Sequence, residues 1–413
     1  METRYVFGTK ENEQFLAELR DELLDFGVHF PSPSGASYYL GDDGSPWTDR
    51  PVETWITCRM AHVYSIGHML GMPGARELAA EAIRGLNGVL KDNENGGWYS
   101  GINADGTILP NKQCYAHAFV ILAGTSGILA QIPGAKELLD EALAVYDKFF
   151  WQEEISLSVD TYNTEFTVCD SYRGINANMH TVEAFLAVAD VLHREDYRAR
   201  AGRVIDHVIG WAKENDWRIP EHFTQDWQMD LELNSDKPDD PFKPYGATCG
   251  HGIEWARLIT QWALSSHASE EYIEAAKKLF LRAVEDGWNS DGARGIVYTT
   301  DWNGKPVVRD RMHWTLAEAI NSSAVLYKTT NDARYKDYYE QFMTYLDEQV
   351  HDKVNGSWFH QLDENNRLKE TVWPGKSDIY HALQAMIIPY AKTDISIAAY
   401  VSKLADKKET INE

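Results

Sequence analysis

Three histidines stand at the start of apolar stretches in this chain: His180 in NANMHTVEAF, His251 in CGHGIEWARL and His381 in DIYHALQAM. Imidazole is the side chain whose ordinary pKa lets it take and return a proton near neutral pH. His180 and His251 each have a glutamate three residues on, Glu183 and Glu254. For His251 and Glu254 that spacing on a helix shares a face, so the carboxylate can hold one ring nitrogen and leave the other to work. The pattern is not the H-E-x-x-H of a metalloprotease. Two readings stand for each of these imidazoles: a satisfied core histidine, or a proton carrier.

Other chemistry-bearing residues sit at matching places. Arg59 follows Trp55 by four, and Glu318 follows Trp314 by four. A charge on an otherwise apolar helix is costly unless it meets a partner, so Arg59 makes either an ion pair to a neighbouring helix or a ligand contact. Tyr115 and His117 open another such stretch, and Asn178 is either a helix cap or a site residue. Asp378 and Tyr380 lie beside His381. Gly250 and Gly252 beside His251 would let backbone or ligand approach closely. With 14 Trp and 21 Tyr, the chain has aromatic faces and pendant polar groups that suit a sugar. A glycosidase would need two catalytic carboxylates; Glu254 and Glu318 could supply them, but they read better as groups that orient a neighbour. No set of Asp, Glu and His at ligand spacing stands out, and no phosphate-binding glycine loop is found, so neither metal nor cofactor is expected.

What must position these residues is a repeat. Six segments recur: WITCRMAHVYSIGHM, CYAHAFVILAG, NANMHTVEAFLAVA, CGHGIEWARLITQWA, MHWTLAEAINSSAVL and DIYHALQAMIIPY. Their spacing of roughly 55–70 residues suits a helical hairpin plus a long loop. A second, amphipathic set alternates with them at 14–26, 76–90, 136–150, 196–213, 270–286 and 333–350. The first set is poorer in charge, as inner helices require. Short links such as GMPGAREL and QIPGAKEL join inner to outer helices. The return links are long and carry turn signals in GGWYSGINADGTIL, GIVYTTDWNGKPVV and GSWFHQLDENNRLKE, which predict short hairpins. Twelve helices in two concentric rings predict an all-α (α/α)6 barrel, with the hairpin loops on the rim where the inner helices begin. The alternative is an open helical superhelix, which should show shorter repeats. One domain spanning 1–413 is expected, because a lone hairpin cannot bury its apolar face.

Composition narrows the function. The formal charge is −24, and no basic stripe of the kind that binds nucleic acid is found. No stretch approaches the ~20 apolar residues of a membrane span. The opening METRYVFGTKENEQF lacks the apolar run of a signal peptide. Cys58, Cys114, Cys169 and Cys249 form no CxxC pair and read as free thiols, so the cytoplasm is the expected compartment.

In combination, WITCR, YRGINANMHTVEAF, TCGHGIEWARL, HWTLAEA and DIYHALQ resemble the N-acylglucosamine 2-epimerase superfamily, in its aldose–ketose isomerase branch acting on mannose or sulfoquinovose. The resemblance runs from DFG at 25–27 to the last inner helix. It implies an (α/α)6 barrel and a reaction without metal. It implies His180, His251 and His381 at the site, with Arg59, Tyr115 and Asn178 around the sugar and Trp55 and Trp314 nearby. It casts His251 and His381 as an acid/base pair tuned by Glu254 and Glu318. Where the sulfoquinovose branch carries glutamines, this chain has His360 and Ser377, which favours a neutral hexose. The expected reaction is D-mannose to D-fructose, and also D-lyxose to D-xylulose, with His381 shuttling the proton between C2 and C1 and His251 serving ring opening. The alternatives are a sulfoquinovose isomerase, a sugar 2-epimerase, a glycoside hydrolase and a non-catalytic sugar-binding protein. The last would not need several histidines at one rim.

Overall fold

The computed structural model describes residues 2–412. Thirteen α-helices lie among them: α1 Lys10–Phe26, α2 Thr54–Leu70, α3 Ala75–Asn87, α4 Cys114–Leu129, α5 Ala135–Val145, α6 Ile175–Leu192, α7 Glu195–Glu214, α8 Cys249–Ser265, α9 Glu270–Gly287, α10 His313–Thr330, α11 Ala333–Tyr345, α12 Tyr380–Ala385 and α13 Ile397–Asn412. They fall into two compact units. The first takes Phe26–Val204, Ser377–Tyr380 and Ile395–Glu413; the second takes Met1–Asp25, Ile205–Lys376 and His381–Asp394.

In the first unit α2 packs against α4, and α4 against α6. These helices carry little charge, and nearly every side chain is buried; in α2 every residue from Thr54 to Gly67 is. Helices apolar all round belong in a core. α3 packs on α2 and α5 on α4. α3 buries Ala75, Ala79, Ala82, Ile83 and Leu86, a stripe at helical spacing, and turns its charges outward. Burial of each large aliphatic side chain contributes about 1.5–3 kcal/mol. α2 stops at Gly71, whose φ of 96° is the left-handed cap geometry that favours glycine.

The second unit repeats the scheme. α10 packs on α8, α9 on α8 and α11 on α10. α8 and α10 are buried along most of their length, while α9 and α11 bury one face. Both α5 and α11 continue into π turns, Tyr146–Phe150 and Leu346–Val350.

The predicted helix order holds for both sets. Two differences have physical causes. The last inner segment is helical only over Tyr380–Ala385 and ends in a 3₁₀ turn at Ile388–Tyr390, because Pro389 cannot continue an α-helix. A thirteenth helix, α13, was not expected; it is amphipathic and packs on α2. The predicted turns are present, but the hairpins are brief: Gly101–Ile102 pairs with Ile108–Leu109, and single bridges join Thr300 to Pro306 and Leu362 to Leu368. No helix among the described residues is long and apolar enough to cross a membrane. The four cysteines are free thiols.

Candidate active site

In the first unit the site residues gather on the opening turns of the buried helices. Arg59 is 6% exposed and donates from Nη1 to Asp378 Oδ2 (3.1 Å) and from Nη2 to Tyr115 Oη (2.9 Å). Its guanidinium lies over the rings of Trp55 (4.7 Å), Phe119 (4.8 Å) and Tyr380 (4.8 Å). Burial opposes the charge, but Tyr115 and Asp378 more than offset it, and the Arg59 pKa rises. Ion pair and aromatic cage together hold a permanent cation here. Asp378 also caps α12, accepting from the Tyr380 N–H at 2.9 Å. Trp55 donates to Glu53, which Tyr39 also holds; burial raises the Glu53 pKa.

His180 Nδ1 lies 3.1 Å from Glu183 Oε2, one helical turn away. A carboxylate accepts, so Nδ1 carries the hydrogen and Nε2 is the acceptor nitrogen. Tyr380 donates to Glu183 at 2.6 Å, and Tyr115 and Phe119 wall the imidazole at 5.1 and 4.6 Å between centroids. Asn178 is spent on the backbone. It accepts from Ser158 N–H and donates to the carbonyls of Ser158 and Gly174, tying a strand to the start of α6. His117 is likewise a packing residue, accepting from Trp98 N–H and donating to Gln113 O.

The second unit holds the other two imidazoles. His251 Nδ1 bonds Glu221 Oε2 at 2.8 Å. This corrects the i, i+3 expectation: Glu254 turns instead to Arg257, at 3.3 Å. Arg257 Nε in turn donates to Glu318 Oε2 at 2.7 Å, and Glu318 Oε1 meets His381 Nδ1 at 3.1 Å. Glu318 thus does hold an imidazole, and Glu254 is linked to Glu318 through Arg257. Trp314 stands between the two histidines, its ring 5.0 Å from His251 and 5.9 Å from His381. Gly250 makes room for it, since a Cβ there would meet the indole at 2.5 Å. His360 is buried and stacks face to face on His313 at 3.7 Å, with His313 edge-on to His381 at 6.4 Å. Ser377, in the first unit, is buried at 2% exposure.

Five residues were not picked as site residues. Arg257 could have been, by the argument applied to Arg59: a charge on an apolar helix needs a partner. Asp378 and Tyr380 were noticed only as neighbours of His381. Glu221 and His313 carried no signal, since Glu221 lies in an irregular segment 30 positions from its imidazole. The fold also brings one ligand atom each from Glu254, Glu318 and His381 within 4.8 Å, a group that sequence spacing had not suggested. Arg257 already donates to both carboxylates, so a metal ion there would have to displace a buried guanidinium.

Two imidazoles lie against one indole, each held at Nδ1 by a buried carboxylate, an arrangement able to support acid–base chemistry. Solved structures share the fold. A D-mannose isomerase structure superposes with a TM-score of 0.85 at 24% identity, covering 91% of this chain and 97% of that one. Cellobiose 2-epimerase from Spirochaeta thermophila gives 0.80 at 18%, covering 98% of each. The fold class is the all-α (α/α)6 barrel. The model of the N-acylglucosamine 2-epimerase family matches residues 35–385, and the chain belongs to that family. The D-mannose isomerase of Thermobifida fusca is 41% identical over 92% of this chain and 95% of its own length. That of Pseudomonas cannabina pv. alisalensis is 38% identical over 95% and 96%.

Proposed function

We propose that this protein is an aldose–ketose isomerase that interconverts D-mannose and D-fructose in the cytoplasm, with D-lyxose and D-xylulose as a second pair. The carrying observation is the pair of carboxylate-held imidazoles, His251 with Glu221 and His381 with Glu318. Relatives 41% and 38% identical that bear the name D-mannose isomerase support the same sugar.

The reaction needs only proton traffic. His251 serves opening of the pyranose, moving the proton between O1 and O5. His381 removes the C2 proton; the electron pair forms the C1=C2 double bond, and O1 takes up a proton to give the cis-enediol. The O2 hydroxyl then loses its proton as C2=O2 forms, and C1 receives the proton held by His381. Protons and electrons balance without a redox partner or metal. Arg59 and Tyr115 donate to the sugar oxygens as charge develops on O1 and O2, and His180, with its hydrogen on Nδ1, accepts from a sugar hydroxyl at Nε2. Asn178 serves them by placing the strand at Ser158 against α6. Trp55 and Trp314 offer faces to the C–H side of the ring. His360 and Ser377 suit a neutral hexose better than a sulfonated one. The chain is read as one catalytic domain over residues 1–413.

A sugar 2-epimerase is the second reading, favoured by a 24% identical cellobiose 2-epimerase from Bacteroides fragilis. It would use the same imidazoles, one for each face of C2. Incubation with mannose, glucose, lyxose and sulfoquinovose, with products read by NMR, decides. Ketose from mannose is the expected result; glucose–mannose exchange without ketose would establish the epimerase instead.

A further inference from the structure

One device recurs in three loops. After α3, Asp92 Oδ1 accepts from the N–H groups of Glu94 and Asn95, while Oδ2 accepts from Asn95 Nδ2 and, at 2.7 Å, from Lys112 Nζ. After α11, Asp352 repeats this atom for atom with Val354, Asn355 and Lys376, again at 2.7 Å. Each lysine also donates to a glycine carbonyl, Gly96 or Gly356. After α9, Asp291 holds Arg311 through two bonds of 2.7 and 3.0 Å. Both lysine side chains are 0% exposed, and Asp291 and Arg311 are 3% exposed.

Each cation sits on the segment that enters a buried helix. Lys112 is two residues before α4, Arg311 two before α10 and Lys376 four before α12. The side chains delivered next are those of the site: Tyr115; His313 and Trp314; Asp378, Tyr380 and His381. An ammonium wholly out of water needs its acceptors in place, so each loop fixes its lysine to within hydrogen-bond tolerance. Burial works against the Asp352 charge, but the bonds from Lys376, Val354 and Asn355 prevail and hold its pKa at about 2. The Asp352 carboxylate therefore stays ionised at neutral pH.

We propose that Lys112 and Lys376 are positioning residues for the reaction, each clamping the entry of a buried helix to a preformed aspartate loop and so setting where Tyr115 on one side, and Asp378, Tyr380 and His381 on the other, stand. The inference deepens the isomerase reading and rests on it. The two pins then fail in different ways. Lys112 acts through a residue that binds sugar, and Lys376 through the proton carrier. A misplacement of about 1 Å can cost ~10²-fold in rate.

The test is steady-state kinetics of C2–H exchange from mannose in deuterated water, with ketose yield measured alongside. Lys376→Met should lower kcat roughly 10–100-fold, with KM rising as well because Asp378 holds Arg59, while Lys112→Met should raise KM roughly 10-fold and leave kcat within about 3-fold. Asn355→Ala and Asn95→Ala loosen the same loops without stranding a charge. They should show the same split at smaller size, and they decide the matter if a methionine variant does not fold. Parent kcat and KM with only a lowered melting temperature would overturn the proposal, as would one shared pattern for both pins. Exchange without ketose in the parent would refute the isomerase reading alone, since the exchange split still judges the pins.

Discussion

The first unit concentrates a charge that cannot move, and the second concentrates protons that can. Arg59 is fenced by Asp378, Tyr115 and three aromatic rings, and guanidinium does not deprotonate in proteins. His251 and His381 each lean on a carboxylate that fixes the tautomer and offers a counter-charge when the ring takes up a proton. His180 joins the two styles, an imidazole held by Glu183 but walled by Tyr115 and Phe119. On the isomerase reading proposed above, the contrast is a division of labour: one set of residues to hold the sugar, another to carry its protons.

The most forceful way to break that division is at His381. His381→Ala should lower isomerisation by at least ~10²–10⁴-fold and abolish C2–H exchange in deuterated water. His251→Ala should slow turnover of the cyclic sugar, while its open-chain fraction still exchanges slowly. Exchange that survives in His381→Ala but not in His251→Ala would reverse the two roles.

Arg59→Lys probes the holding side. Lysine keeps the charge but loses the planar fork that reaches Asp378 and Tyr115 together. Hydrogen bonds to charged groups contribute about 1.5–3 kcal/mol, so KM should rise about 10–100-fold with kcat much less affected. A fall in kcat at constant KM would place Arg59 among the proton-moving residues.

These assignments differ in how they became legible. The helix order was readable because apolar periodicity is local, and α2 shows it in fourteen consecutive buried residues from Thr54 to Gly67. The His180–Glu183 pair lies within one helical turn, so the spacing put both on one face, but the sequence alone did not join them. The partner of His251 was not readable, because two acceptors competed for it and the rotamer of Glu254 went to Arg257. Arg59 to Asp378 spans 319 positions and His381 to Glu318 spans 63, distances over which periodicity says nothing. In those cases the recurring motifs drew attention to one residue of each pair, and the fold supplied its partner.

A pH series sharpens the comparison by asking which imidazoles are merely packed. Burial lowers the pKa of His62 to about 4 and of His117 to about 3, from an ordinary 6.5. Above about 6.5 both are neutral folded or unfolded. As pH falls from there towards 4, the unfolded chain takes up protons that the folded chain refuses, so stability drops. The melting temperature should fall across that window, and His117→Gln should flatten the slope. An unchanged slope would show that His117 is protonated in the folded protein despite accepting from Trp98 N–H.

The smallest expected effect concerns selectivity. Replacing His360 and Ser377 together by Gln should move the kcat/KM ratio a few-fold towards sulfoquinovose, within the range of one added hydrogen bond. Native preference for sulfoquinovose would show that these positions do not select. Chelation with EDTA should leave every one of these rates in place; loss restored by a divalent cation would reopen the Glu254, Glu318 and His381 group as a metal centre.

The interleaving of the two units has a consequence for biosynthesis. Residues 377–380 and 395–413 complete the unit begun at Phe26, and residues 1–25 belong with a unit built mainly from 205 onward. Neither unit can close while the ribosome is midway through the chain. Arg59 emerges 319 residues before Asp378, a delay of roughly 15–60 s at bacterial-to-eukaryotic elongation rates. Through that interval the nascent chain carries α2, α4 and α6 with their apolar surfaces incompletely covered. Holding chaperones and slow-translating stretches should therefore govern the yield of this protein more than its final stability does.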